Sequence, residues 1–314
     1  MTHYHWGIIG LGDIAHQFAA DFKSEKSEIY GVAARRLPKV QAFAEEFSIP
    51  TVYETVEDLL ADDVIDFVYI AVPNNVHHQY IMAALQAGKH VLCEKAITMN
   101  SAELTEEIAL AKEKNLVLQE AMTIFNMPLY LELKKIADSG TLGKLKLIQA
   151  PFGSYKEPDP TNRFFNPELA GGALLDIGTY AVSFARFFLS ATPDVLFSNV
   201  LPFETGVDEQ SITVLRNQKD EMATVSLSFQ AKMPKQGIVA YENAYITVDE
   251  YPRADKAEIV YRDGHKEIIE AGNTAEALNY EVQTLIETVE GAENRTLPLT
   301  IDVIRILDDM RRFW

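Results

Sequence analysis

Short apolar runs alternate with helical periods over residues 6 to 120. The runs at Trp6–Ile9, Ile29–Ala33, Phe67–Val72, His90–Cys93 and Leu116–Gln119 are almost continuously hydrophobic, the pattern of strands covered on both faces of a parallel sheet. Between them Ile14, Phe18 and Phe22 recur at a spacing of four, and Val40, Phe43 and Phe47 at three and four. Leu104, Ile108 and Ala111 do the same behind a Ser101 cap. Each segment is predicted to be a helix with one buried stripe. Gly88 stops a helix that begins near His77. Strand and helix in this alternation predict a doubly wound sheet that binds ligands outside the carboxyl ends of its strands.

After residue 121 the rhythm changes. A helix is predicted over 128–138 and an apolar helix near 174–189, within mostly strand-like sequence from 144 to 270. Ala223, Val225, Leu227, Phe229 and Ala231 alternate with Thr224, Ser226, Ser228 and Gln230, and a strict period of two means one buried face. Such strands predict an antiparallel sheet with helices on one face and solvent or a partner subunit on the other. Two helices close the chain, one carrying Leu278, Val282, Leu285 and Val289, the other carrying Ile304 and Leu307 after a Thr300 cap. The expected fold class is α/β, with a first domain over 1–121 and a second over 122–314.

Hydrophobic residues make up 47% of the 314 and charged residues 24%, the balance of a folded globular chain. A formal charge of −18 repels phosphate backbones and anionic bilayers, so neither nucleic acid nor membrane is an expected partner. Cys93 stands alone and cannot form an internal disulfide. Met1 to Trp6 run into the first strand without a signal-like apolar block, and a cytoplasmic location is expected. The seven histidines show no metal-ligand spacing with acids or with Cys93, and no metal is expected.

The first strand ends in Gly10-Leu11-Gly12-Asp13-Ile14-Ala15. In a G-x-G-x-x-A turn that opens a helix, the first glycine allows the tight turn and the second lets backbone amides approach a pyrophosphate. The second strand then ends Ala33-Ala34-Arg35-Arg36, where an acid would be needed to hold a ribose 2′-hydroxyl. Two guanidiniums can instead clamp a 2′-phosphate, which favours NADP(H) over NAD(H). Taken by itself, the pair is also compatible with a solvated helix start.

Two longer strings carry more information. Ala71-Val72-Pro73-Asn74-Asn75-Val76-His77 and Ala87-Gly88-Lys89-His90-Val91-Leu92-Cys93-Glu94-Lys95, with the glycine turn, resemble the motifs of the Gfo/Idh/MocA oxidoreductases. Arg163-Phe164-Phe165 and Gly171-Gly172-Ala173-Leu174-Leu175-Asp176-Ile177-Gly178-Thr179-Tyr180 resemble the branch that contains the dimeric dihydrodiol dehydrogenases. The resemblance implies an N-terminal Rossmann domain and a C-terminal α/β domain whose large open, mostly antiparallel sheet forms a homodimer or homotetramer. It implies that Gly10, Gly12, Asp13, Ile14, Ala71, Val72, Pro73, Asn74, His77, Glu94 and Lys95 contact the cofactor, with Arg163 and Tyr280 as further contacts. It also makes Tyr180 the general acid/base, with Asp176 orienting the substrate or the lysine. The family's proline after Glu-Lys is Ala96 here, so the turn that carries Lys95 must be held in another way or be trans.

Residue chemistry points in the same direction. Lys95 follows a buried strand at the ligand end of the sheet, where an ammonium can stabilise alkoxide character during hydride transfer. Tyr180 and Asp176 are four apart, on one face of a predicted helix. A phenol ordinarily titrates near 10 and needs a neighbouring positive charge to exchange protons near neutrality. The competing structural roles are a surface ion pair for Lys95, core packing for Tyr180 and a cap or ion pair for Asp176. The expected function is hydride transfer between nicotinamide and a carbinol or carbonyl carbon of a small sugar, polyol or diol. A dinucleotide-binding redox regulator without turnover is the alternative.

Overall fold

The computed structural model describes residues 3–314. Met1 and Thr2, which head the stretch expected to lack a signal-like block, lie outside the described residues. The chain alternates β1 (Tyr4–Ile9), α1 (Asp13–Asp21), β2 (Ser27–Ala33), α2 (Leu37–Glu46), β3 (Thr51–Val52), α3 (Val56–Ala61), β4 (Phe67–Ile70), α4 (His77–Gln86), β5 (His90–Glu94), α5 (Ser101–Lys114) and β6 (Leu118–Ala121). These strands pair in parallel in the order β3-β2-β1-β4-β5-β6. The order reverses at β1, which creates a topological switch point at its carboxyl end. Helix α5 is capped by Asn100, whose side chain accepts from the amides of Ala102 and Glu103. The expected Ser101 cap is therefore one residue late.

The core of this unit is aromatic. Trp6 stacks on Phe67 with ring centres 4.8 Å apart, and Phe18 on Tyr69 at 3.9 Å. A later helix, α9 (Ala277–Val289), adds Leu278, Val282 and Leu285 to the same cluster. Residues 278–297 accordingly belong to the first compact unit, and the second comprises 122–277 with 298–314. This corrects the continuous 122–314 domain read from the sequence. Apolar spacing marked α9 as amphipathic but did not show which core its stripe would enter.

The second unit begins with α6 (Thr123–Asn126), α7 (Pro128–Asp138), β7 (Leu145–Gly153) and α8 (Thr179–Phe188). It continues through β8 (Asp194–Pro202), β9 (Asp208–Arg216), β10 (Met222–Ser228), β11 (Gly237–Tyr241), β12 (Ala244–Val248), β13 (Lys256–Tyr261) and β14 (Lys266–Glu270), and ends in α10 (Leu297–Arg311). Its eight strands are ordered β14-β13-β12-β11-β7-β10-β9-β8, all antiparallel neighbours except the parallel pair β7 and β10. Ala223, Val225 and Leu227 of β10 are buried and Thr224 and Ser226 are not, as the period of two requires. Helix α10 starts at Leu297, so Thr300 is a buried residue of its first turn and not the expected cap.

Candidate active site

Register brings the carboxyl ends of the central parallel strands level: Ile9 pairs with Ala33 and with Ile70, Ile70 with Cys93, and Glu94 with Ala121. Gly10 leaves β1 with φ +102°, and a Cβ there would lie 2.3 Å from the carbonyl oxygen of Ala71. Only glycine fits. A Cβ at Gly12 would meet nothing within 4 Å, and α1 has no side-chain cap at its N-terminus. The first-turn amides of α1, with Asp13 and Ile14 at its start, therefore suit a pyrophosphate in both charge and space. Arg35 and Arg36 follow β2, both exposed. Neither guanidinium has an ion-pair partner among the described residues.

Beyond β4 the loop runs through Ala71, Val72 and Pro73 to a 3₁₀ turn at Asn74–Val76. Asn74 donates its side-chain amide to the carbonyl of Ala96. His77 is fully buried, with Nε2 2.8 Å from the Val72 carbonyl and Nδ1 3.0 Å from that of Ala96. Burial lowers its pKa. With no exposed surface and both ring nitrogens against backbone carbonyls, it ties the loop after β4 to the loop after β5.

Lys95 is the only residue from Val91 to Thr98 that is not buried. Glu94, beneath it, accepts from the Tyr69 hydroxyl at 2.6 Å and from the Lys95 amide. Burial and the Glu94 carboxylate raise the Tyr69 pKa well above 10, so the phenol remains the donor. The Lys95–Ala96 peptide is cis. The following amide, of Ile97, donates to the buried carboxylate of Glu120 at 3.1 Å. Thus His77, Asn74 and Glu120 together hold the turn that lacks its proline. The role of Glu120 was not read from the sequence, although its place near the carboxyl end of β6, paired with Cys93 two residues before Lys95, was the available signal. Cys93 is a buried strand residue whose thiol pKa is pushed well up by burial, which removes it as a nucleophile. Tyr280, on α9, belongs to this same unit.

In the second unit a π-helical turn, Leu174–Gly178, leads directly into α8. From Gly172 to Ala185 every residue is buried except Asp176 and Tyr180. Both are partly exposed. Tyr180 packs beside Phe152, ring centres 6.2 Å apart, and lines a cavity of about 830 Å³ with Lys235, Thr247, Arg253 and Glu258 among its other walls. The size suits a small polar ligand. Lys235 also sits 5.3 Å over the ring of Phe152. Arg163 is exposed, its guanidinium 4.1 Å from the ring centre of Phe164. Among the described residues no group of three or more His, Cys, Asp or Glu could hold a metal ion, and no helix is long and apolar enough to cross a membrane.

Residues 4–122 match the family model described as an oxidoreductase family with an NAD-binding Rossmann fold, and residues 130–248 match the Gfo/Idh/MocA C-terminal domain. The chain belongs to the Gfo/Idh/MocA oxidoreductase family. This Gfo/Idh/MocA protein is 33% identical over 281 residues to trans-1,2-dihydrobenzene-1,2-diol dehydrogenase of Xenopus laevis, covering 88% of this chain and 83% of the relative. It is 29% identical over 311 residues to D-xylose 1-dehydrogenase (NADP(+)) 2 of Haloferax volcanii, covering 96% and 95%. Levoglucosan dehydrogenase, solved with NADH and levoglucosan, shares its fold with a TM-score of 0.88 at 20% identity, covering 99% of this chain and 97% of the other. The Gfo/Idh/MocA protein is thus an NAD(P)-dependent oxidoreductase with a Rossmann domain.

Proposed function

We propose that the enzyme prefers NADP(H) and moves a hydride between nicotinamide and a carbinol or carbonyl carbon of a small sugar, polyol or diol. The observation that carries the cofactor reading is the exposed Arg35–Arg36 pair, which has no acid beside it to hold a ribose 2′-hydroxyl. In this reading Gly10, Gly12, Asp13 and Ile14 hold the pyrophosphate at the start of α1, and Val72, Pro73, Asn74 and Glu94 line the rest of the bed. Arg163 and Tyr280 add contacts to the cofactor. The dinucleotide supplies the hydride acceptor or donor when bound. Lys95 stabilises negative charge on the reacting oxygen, Tyr180 gives or takes its proton, and Asp176 orients the substrate or the lysine. The relatives named for a diol and a sugar support the substrate class.

Replacing Arg35 and Arg36 together with serine should weaken NADP(H) by about 10²-fold, from the loss of charge-assisted contacts to phosphate, and NAD(H) by no more than about threefold. Fluorescence titration with both cofactors measures this. Equal weakening, or none, would show that the pair is only solvated.

The assembly reading is a homodimer or homotetramer through the open face of the second sheet. Register places Leu147, Met222 and Tyr245 in one row, and Ile212 lies on the same face. All four are exposed, Ile212 at 57%. Exposed apolar side chains on one face of an open sheet support this reading. Sedimentation should show an oligomer for the wild type and a smaller species for Ile212→Arg. A monomeric wild type would end this reading.

A further inference from the structure

The helical segment that carries Asp176 and Tyr180 has no side-chain cap of its own at its N-terminus. Four amides at such an end need acceptors. The acceptor comes from a strand instead. Asp208, the first residue of β9, reaches the amide of Leu174 with Oδ2 at 2.5 Å, and the Ala173 amide also bonds to it. The backbone is shaped around this carboxylate, since Gly172 has φ +119° and a Cβ there would lie 2.2 Å from Asp208 Oδ1. Leu174 lies two residues before Asp176 and six before Tyr180, so a displacement at the cap is carried along one short rigid element to both side chains.

We propose that Asp208 is a positioning residue for catalysis, holding the π-turn that carries Asp176 and, through α8, Tyr180 at the cavity wall. The inference rests on the reading of Tyr180 as the proton carrier. Asp208 is not among the residues that line the cavity, and its carboxylate bonds to the backbone of residues 173 and 174.

The carboxyl is also poised to titrate. Burial raises its pKa to about 7, opposed by the amides of Leu174, Asp208 and Ala173 and by Arg311 of α10, itself paired with Asp308 at 3.2 Å. The sign matters. A carboxyl whose folded pKa exceeds its unfolded value makes the fold less stable as pH rises between the two values, and acid in that window stabilises it. A rate lost on acidification through pH 7 therefore does not come from unfolding at Asp208.

The experiment compares wild type, Asp208→Asn, Tyr180→Phe and the double variant. The assay uses whichever of D-xylose, levoglucosan and trans-1,2-dihydrobenzene-1,2-diol turns over fastest with NADP⁺. Asparagine mimics the protonated cap at every pH. Asp208→Asn should lower kcat about tenfold at pH 8, leave KM for NADP⁺ within about twofold, and abolish a kcat ionisation near pH 7 that the wild type shows. The double variant should be no slower than Tyr180→Phe by more than about threefold, because both changes act through one group. Wild-type kcat and an unchanged profile in Asp208→Asn, beside a slow Tyr180→Phe, would overturn the proposal and leave the Tyr180 reading intact. A fully active Tyr180→Phe would overturn that reading and the inference with it. Hydrogen exchange adds a test independent of turnover, since the Leu174 amide should exchange faster in Asp208→Asn and unchanged protection would overturn the cap. If the variant does not fold, the wild-type profile decides, and the lack of an ionisation near pH 7 would overturn the proposal.

Discussion

Lys95→Met should lower kcat by about 10²- to 10³-fold while cofactor affinity stays within about tenfold, because the lost ammonium acts on charge that develops only in the transition state. Methionine keeps the length and most of the apolar stem of lysine, and other residues bond to the turn beneath it. The Ala96 carbonyl faces His77 and Asn74, and the Ile97 amide is bonded to Glu120. The substitution therefore removes a charge and leaves its scaffold in place. Steady-state rates and a direct titration of NADP(H) separate the two effects. Turnover near wild type would remove Lys95 from the mechanism, and an equal loss in affinity would make it a binding residue.

The same turn shows how far the sequence could be read. The parallel strands were legible because burial on both faces leaves almost no polar position to break the run, as in Phe67 to Ile70. Lys95 was legible because it ends such a run. What fastens it was not, since His77 and Glu120 act across 19 and 23 residues through backbone groups that no local pattern encodes. Cap positions slipped where two good capping residues are adjacent, as at Asn100 and Ser101. The membership of α9 was hidden for another reason, because an apolar stripe specifies burial but not a partner. The π-turn at Leu174–Gly178 and its cap by Asp208 lay furthest from view. The two sit 34 residues apart, and Asp208 opens a strand of otherwise ordinary composition.

Tyr180→Phe should reduce kcat by about 10²-fold or more with little change in melting temperature, since general acid catalysis typically contributes that much. The stability half of this expectation comes from the surroundings. Tyr180 is one of two incompletely buried positions between Gly172 and Ala185, and its ring packs beside Phe152. Phenylalanine keeps that ring, so the packing survives and only the hydroxyl is lost. A residue serving the core alone would lose neither rate nor fold. A proton carrier loses its only exchangeable proton and keeps its fold. The pH dependence sharpens the distinction, because phenylalanine cannot ionise and the limb of the kcat profile that belongs to the phenol must disappear while the pH dependence of cofactor binding persists. Calorimetry, together with kcat measured from pH 5 to 10, tests both halves. Full activity with an unaltered profile would make Tyr180 a packing residue and leave Lys95 or a water molecule to carry the proton.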